Sequence, residues 1–98
     1  MKILAIEKEL PGVTPDKFTP EILKAEAKKV WLLQQSGIIR ECYFHKDEHI
    51  AVLILECNNG EEANNHLNTL PLVENKLIRF DLLPLIPYDG FSRLFNSK

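Results

Sequence analysis

Glycine is scarce: four residues, each standing alone, so no glycine-rich loop is available to cradle a phosphate. Cysteine occurs twice, without a Cys-x-x-Cys pair, which removes a disulfide framework and a thiolate metal site together. Neither sign of charge dominates. Twelve basic and 14 acidic residues leave a net charge of -2, without the basic footprint of a nucleic-acid binder. No apolar run approaches the roughly 20 residues of a membrane span. The first apolar stretch, Ile3 to Ile6, is too short for a signal peptide and meets acid at Glu7. Ser, His and Asp do not recur at any recognisable triad spacing. These absences predict a cytoplasmic protein whose partners include neither nucleic acid nor membrane.

What is there fits one domain over residues 1–98, with 45% apolar and 27% charged residues, ordinary values for a globular chain. The most informative stretch runs from Ile38 to Cys57. Two apolar arms flank the polar cluster His45-Lys46-Asp47-Glu48-His49, which predicts a hairpin. The second arm, Ile50-Ala51-Val52-Leu53-Ile54-Leu55, is apolar at odd and even positions alike, so its strand needs cover on both faces. A turn near Asp47 sets Cys42 opposite Val52 and Cys57 opposite Gly37. The two thiols then stand roughly 16 Å apart along the strand, out of disulfide reach, and read as free and buried.

Lys2 to Lys8 reads as a first strand, closed by Pro11-Gly12. Thr14-Pro15-Asp16 marks a short helical turn, and Thr19-Pro20-Glu21 starts the main helix, predicted to run to about Ser36. Gly37 is placed to end it in the left-handed conformation. Within it Ile22, Leu23, Ala27, Val30 and Leu33 are expected to form the buried stripe, with Trp31 at its margin. Asn58 or Asn59 should cap a second helix carrying Glu61 and Glu62 in its first turn. Ala63, Leu67 and Leu70 continue that helix at i, i+4, i+7, and Pro71 is expected to end it. Lys76 to Ile86 reads as the last strand, with Pro84 putting its end on an edge or a bulge. The tail beyond Pro87 carries Tyr88, Phe91 and Phe95, which suit a partner subunit or a cleft lid.

Strand, helix, strand, strand, helix, strand is the α+β ferredoxin-like order: a four-stranded antiparallel sheet with both helices on one face. The other face would be bare and apolar. An exposed apolar sheet invites aggregation, so a homodimer joined through that face is expected.

Leu23-Lys24-Ala25-Glu26, the helix end at Gly37 with Arg40 just beyond, and Leu70-Pro71-Leu72 resemble muconolactone delta-isomerases over Thr19 to about Leu85. The resemblance implies a dimeric α/β barrel and a proton moved within a small unsaturated lactone acid, with no metal or organic cofactor. Two positions depart from the pattern. Ala27 follows Glu26 where a second acid is common, and Val73-Glu74-Asn75 follow Leu72 where aromatic and proline residues are common.

Glu26 falls inside the apolar stripe, between Val30 and Leu33 around the helix axis. A desolvated carboxylate there suits proton transfer, whereas an ion pair with Arg40 or Arg79 would make it structural. Arg40 and Arg79 sit within apolar strand patterns. Either suits a bidentate clamp on a substrate carboxylate, or pairing with Glu7, Glu41, Glu56 or Asp81. His66, one residue before Leu67, is the candidate second acid–base group or a solvated helix residue. His45 and His49 lack a third ligand and read as a solvated turn. The expected function is cofactor-independent, isomerase-like chemistry on a small carboxylated molecule. A non-catalytic small-ligand or interaction module is the alternative, and heme or metal handling enters by fold analogy only.

Overall fold

The computed structural model describes residues 1–95. Strand β1 (Lys2–Glu9) and a 3₁₀ turn (Pro15–Lys17) precede α1 (Pro20–Gln35) and the hairpin β2 (Ile39–Phe44) and β3 (Ala51–Glu56). Then follow α2 (Gly60–Leu67), α3 (Pro71–Glu74), β4 (Ile78–Leu85) and a tail with a 3₁₀ turn at Gly90–Leu94. The strands form one antiparallel sheet in the order β2-β3-β1-β4. This is the ferredoxin-like arrangement.

Local signals place the helix ends. The Thr19 hydroxyl accepts from the Ile22 N–H, and Pro20 occupies the first helical position, where its missing N–H costs nothing. Gly37, at φ 86°, closes α1 in a Schellman motif: the Ile38 N–H reaches the Leu33 carbonyl and the Gly37 N–H that of Gln34. Asn59, rather than Asn58, caps α2 by accepting from the Glu62 N–H at 2.8 Å.

Alternation along the strands divides the sheet. Ile3, Ala5, Leu53 and Leu55 point to the helix side and are buried with Leu33, Ala63, Leu67 and Leu70, while Ile78 is buried with Leu72 and Leu77. Leu4, Ile6, Val52, Ile54 and Leu83 line the opposite face, which no element among the described residues covers. Leu70 has no exposed surface and lies where α2 hands over to α3. Leu70→Ala should cost about 2–5 kcal/mol, measured by denaturant unfolding, with an unchanged m-value confirming that only the native packing is lost.

Four expectations need correction. The hairpin register is shifted by a bulge at Arg40: Ile39 pairs with Leu55 but Glu41 with Ile54, so Cys42 opposes Leu53 and Tyr43 opposes Val52. Cys42 is exposed, with its thiol directed at Gln34; only Cys57 is buried. Pro71 does not end a helix but begins one. α2 stops at Leu67, and Leu70 is the residue before the new N-terminal turn. The α1 stripe is rotated as well. Ile22 packs with Leu72, Leu77 and Ile78, Leu33 is buried, and Leu23 and Ala27 face outward. With the cap at Thr19 fixing the start and Ile22 anchored, the inward line passes through Glu26 instead of Ala27.

Candidate functional site

The rotation of α1 carries a carboxylate inward. Glu26 lies on the α1 face that packs toward α3 and the sheet, and it is half-buried. Its Oε1 accepts the Leu72 N–H at 2.9 Å. That amide is one of the unpaired donors opening α3, since the preceding Pro71 has none, so the helix end is satisfied from a neighbouring helix. Among the described residues, Glu26 Oε2 accepts no hydrogen bond and no basic side chain pairs with the group. Burial raises its pKa; the Leu72 amide opposes this and the charge of Glu7 adds to it.

Glu7 is a second half-buried carboxylate, near enough for its charge to act on Glu26. β1 and β3 pair as far as Ile6 and Val52, and one position further the Glu7 Oε1 accepts the Ala51 N–H at 2.8 Å. A side chain thus takes the donor that the ladder leaves over. Burial again raises its pKa, against the Ala51 hydrogen bond and the charge of His49 and with the charge of Glu9. Glu7 also lines an open hollow of about 450 Å³ with Lys8, Glu9, Glu48 and Ile50, and Glu26 is not part of its lining. The sequence assigned Glu7 only as a partner for an arginine. Its signal was available: position 7 continues the Ile3-Ala5 inward alternation.

The other expected residues stand elsewhere. Arg40 occupies the bulge, exposed, and donates through Nε to the Gly37 carbonyl at 2.8 Å. Arg79 is on the outer sheet face, exposed, in an ion pair with Asp81. Neither reaches Glu26. His66 is half-buried on α2 beside Leu67, and no side-chain hydrogen bond joins it to Glu26 or Glu7 among the described residues. The turn histidines have structural work: His45 Nδ1 accepts from the Asp47 and Glu48 amides, and His49 stacks on Phe44 at 4.1 Å. Among the described residues, no three His, Cys, Asp or Glu side chains gather as a metal set. No helix there is long and apolar enough to cross a membrane.

No protein-family model matches the chain, and no curated protein does. Solved structures do. Muconolactone isomerase superposes with a TM-score of 0.73 at 18% identity, covering 92% of this chain and 93% of its own. The 5-chloro-2-hydroxyhydroquinone dehydrochlorinase of Burkholderia phenoliruptrix, in complex with 2,5-dihydroxybenzoquinone, gives 0.69 at 16% identity, covering 92% of this chain and 98% of its own. The resemblance expected from Leu23-Lys24-Ala25-Glu26 and Leu70-Pro71-Leu72 is therefore borne out in the fold: this chain has the muconolactone isomerase fold. Those two stretches now have a physical link, since Glu26 of the first accepts the Leu72 amide of the second.

Proposed function

We propose that the protein catalyses cofactor-independent proton transfer within a small carboxylated, unsaturated molecule, as a homodimer joined through its outer sheet face. The carrying observation is Glu26: a half-buried carboxylate with one oxygen tied to the Leu72 amide and the other free, beside the Glu7 carboxylate. The tie fixes the group, and desolvation strengthens it as a base. In an allylic isomerisation Glu26 would remove a proton from the carbon next to an unsaturated carbonyl. The electron pair moves through the double bond, and the same proton returns at the far carbon, so nothing is gained or lost. The two structural neighbours support this class of substrate: their names denote chemistry on a lactone and on a hydroxylated ring.

A second reading is favoured by one specific observation. Arg40 and Arg79 do not share the cleft, so the substrate carboxylate lacks the bidentate clamp that the sequence suggested. On that reading the cleft binds a small ligand without turning it over. The test is a screen of small lactones and unsaturated acids for isomerisation, wild type against Glu26→Gln. Turnover that depends on Glu26 supports the proposal. Saturable binding without turnover in either protein supports the second reading.

A further inference from the structure

His45 and His49 take no part in the function proposed above, yet both are built into the turn between β2 and β3. Two main-chain bonds close that turn: the His45 N–H on the Ile50 carbonyl at 2.8 Å and the His49 N–H on the His45 carbonyl at 2.9 Å. A side chain adds the rest. His45 Nδ1 accepts the Asp47 amide at 3.1 Å and the Glu48 amide at 3.0 Å. Two N–H groups aimed at one ring nitrogen must meet a lone pair, so this geometry requires a neutral His45 ring with its proton on Nε2.

The turn also contains a strained residue. His49 has φ 56°, in the left-handed region that glycine fills most easily. Such a conformation persists only where the surroundings hold it. Here they are the two main-chain bonds, the stack of the His49 ring on Phe44 at 4.1 Å, and the two amides gathered by His45.

Protonation treats the two histidines differently. A charged His49 would still lie on the face of Phe44, an arrangement that favours a cation. A charged His45 would turn an Nδ1–H toward two further N–H groups, and both bonds would be lost. The new donor has the carboxylates of Asp47 and Glu48 within the same turn, with Lys46 as the basic side chain among them. From β1, Glu7, Lys8 and Glu9 share a hollow with Glu48 and Ile50, and the charge of His49 acts on Glu7.

We propose that the β2–β3 turn is a proton-operated clasp, closed by neutral His45 through the Asp47 and Glu48 amides and opened when His45 is protonated. In the open form the ring turns to a carboxylate of the turn, and the two amides return to water. Acid opens the clasp and base closes it. The proton comes from solvent and stays on the ring, so no covalent bond of the chain changes. Glu48 and Ile50 are two of the five residues lining the hollow beside Glu7, so opening loosens one wall of it. The clasp is independent of the Glu26 chemistry.

A heteronuclear NMR titration of the full-length protein tests this, reading the ring nitrogens of His45 and His49 together with the Asp47 and Glu48 amides. The expected neutral His45 ring has an unprotonated Nδ1. Both amides should shift upfield and exchange faster with solvent in step with the titration of the His45 ring. In His49→Gly, which suits the left-handed position, the amides should still follow His45. In His45→Asn the side-chain oxygen can accept the same amides but does not titrate, so they should stay bonded and unresponsive over that range. A neutral His45 protonated on Nδ1 would overturn the proposal, as would amides that stay still while His45 titrates. Amides that track His49, and lose their response in His49→Gly, would overturn it too.

Discussion

Arginine in place of Ile54 should break the sheet-to-sheet pair. Ile54 lies on β3, an interior strand, and on the outer face it opposes Leu4 of β1 and Glu41 of β2. Leu4, Ile6, Val52 and Ile54 are only half-buried within the protomer, so this face still exposes apolar surface that a second sheet would cover at about 10 Å spacing. An arginine forced into that layer would be desolvated, and pairing with Glu41 across the strands would not restore the apolar area it takes out of the sheet contact. The helix side of the sheet is untouched, so the fold should persist. Sedimentation equilibrium checks the result: wild type as a dimer or larger, Ile54→Arg at half the wild-type mass or less, and Ile54→Val unchanged in mass. An arginine variant that keeps the wild-type mass would remove the outer face from the assembly.

Glu26→Gln should act in opposite directions on rate and stability. A positioned general base contributes about 10²–10⁴-fold, and turnover should fall by that factor if Glu26 carries the proton. Stability should rise at neutral pH. The Glu26 pKa is raised in the folded state, so the folded protein holds its proton to higher pH than the unfolded chain does. Stability is then lost as pH rises from the ordinary carboxylate range through the raised value. Glutamine cannot lose a proton, yet its Oε1 can still accept the Leu72 amide. The variant should therefore melt higher than wild type above that window and converge with it at acid pH. Glu7 shifts in the same direction, so Glu7→Gln should reproduce the stability effect. Function held at the expense of stability is the expected signature of a working group.

The frame of the fold was legible because each element carried its own chemistry. Thr19-Pro20 and Gly37 mark the ends of α1, and the doubly apolar β3 arm marks an interior strand. The misreadings arose where tertiary contacts settle what local pattern leaves open. Leu23 and Ile22 are equally apolar, and only the contact of Ile22 with Leu72, Leu77 and Ile78 decides which faces inward. Pro71 stops one helix and starts another with equal ease, and here it starts one. A bulge at Arg40 has no clear local signature, yet it displaces every hairpin pair beyond it by one.

The candidate site was half legible. Helical spacing put Glu26 among apolar neighbours, and the structure keeps it there with a backbone amide for a partner instead of an arginine. Glu7 escaped notice as a neighbour of Glu26 because it lies 19 positions away in the chain, and only the fold brings its charge within reach. Arg40 and Arg79 were drawn toward the site by their apolar sequence surroundings. In the fold those surroundings are a bulge and the outer sheet face.

The most direct measurement is a carboxyl NMR titration of Glu26 in wild type and in Glu7→Gln. The expected result is a Glu26 midpoint above the ordinary carboxylate range that falls when the Glu7 charge is removed, as a desolvated group beside a like charge requires. A Glu26 midpoint at or below the ordinary range, indifferent to Glu7, would contradict the cleft as a proton-transfer site.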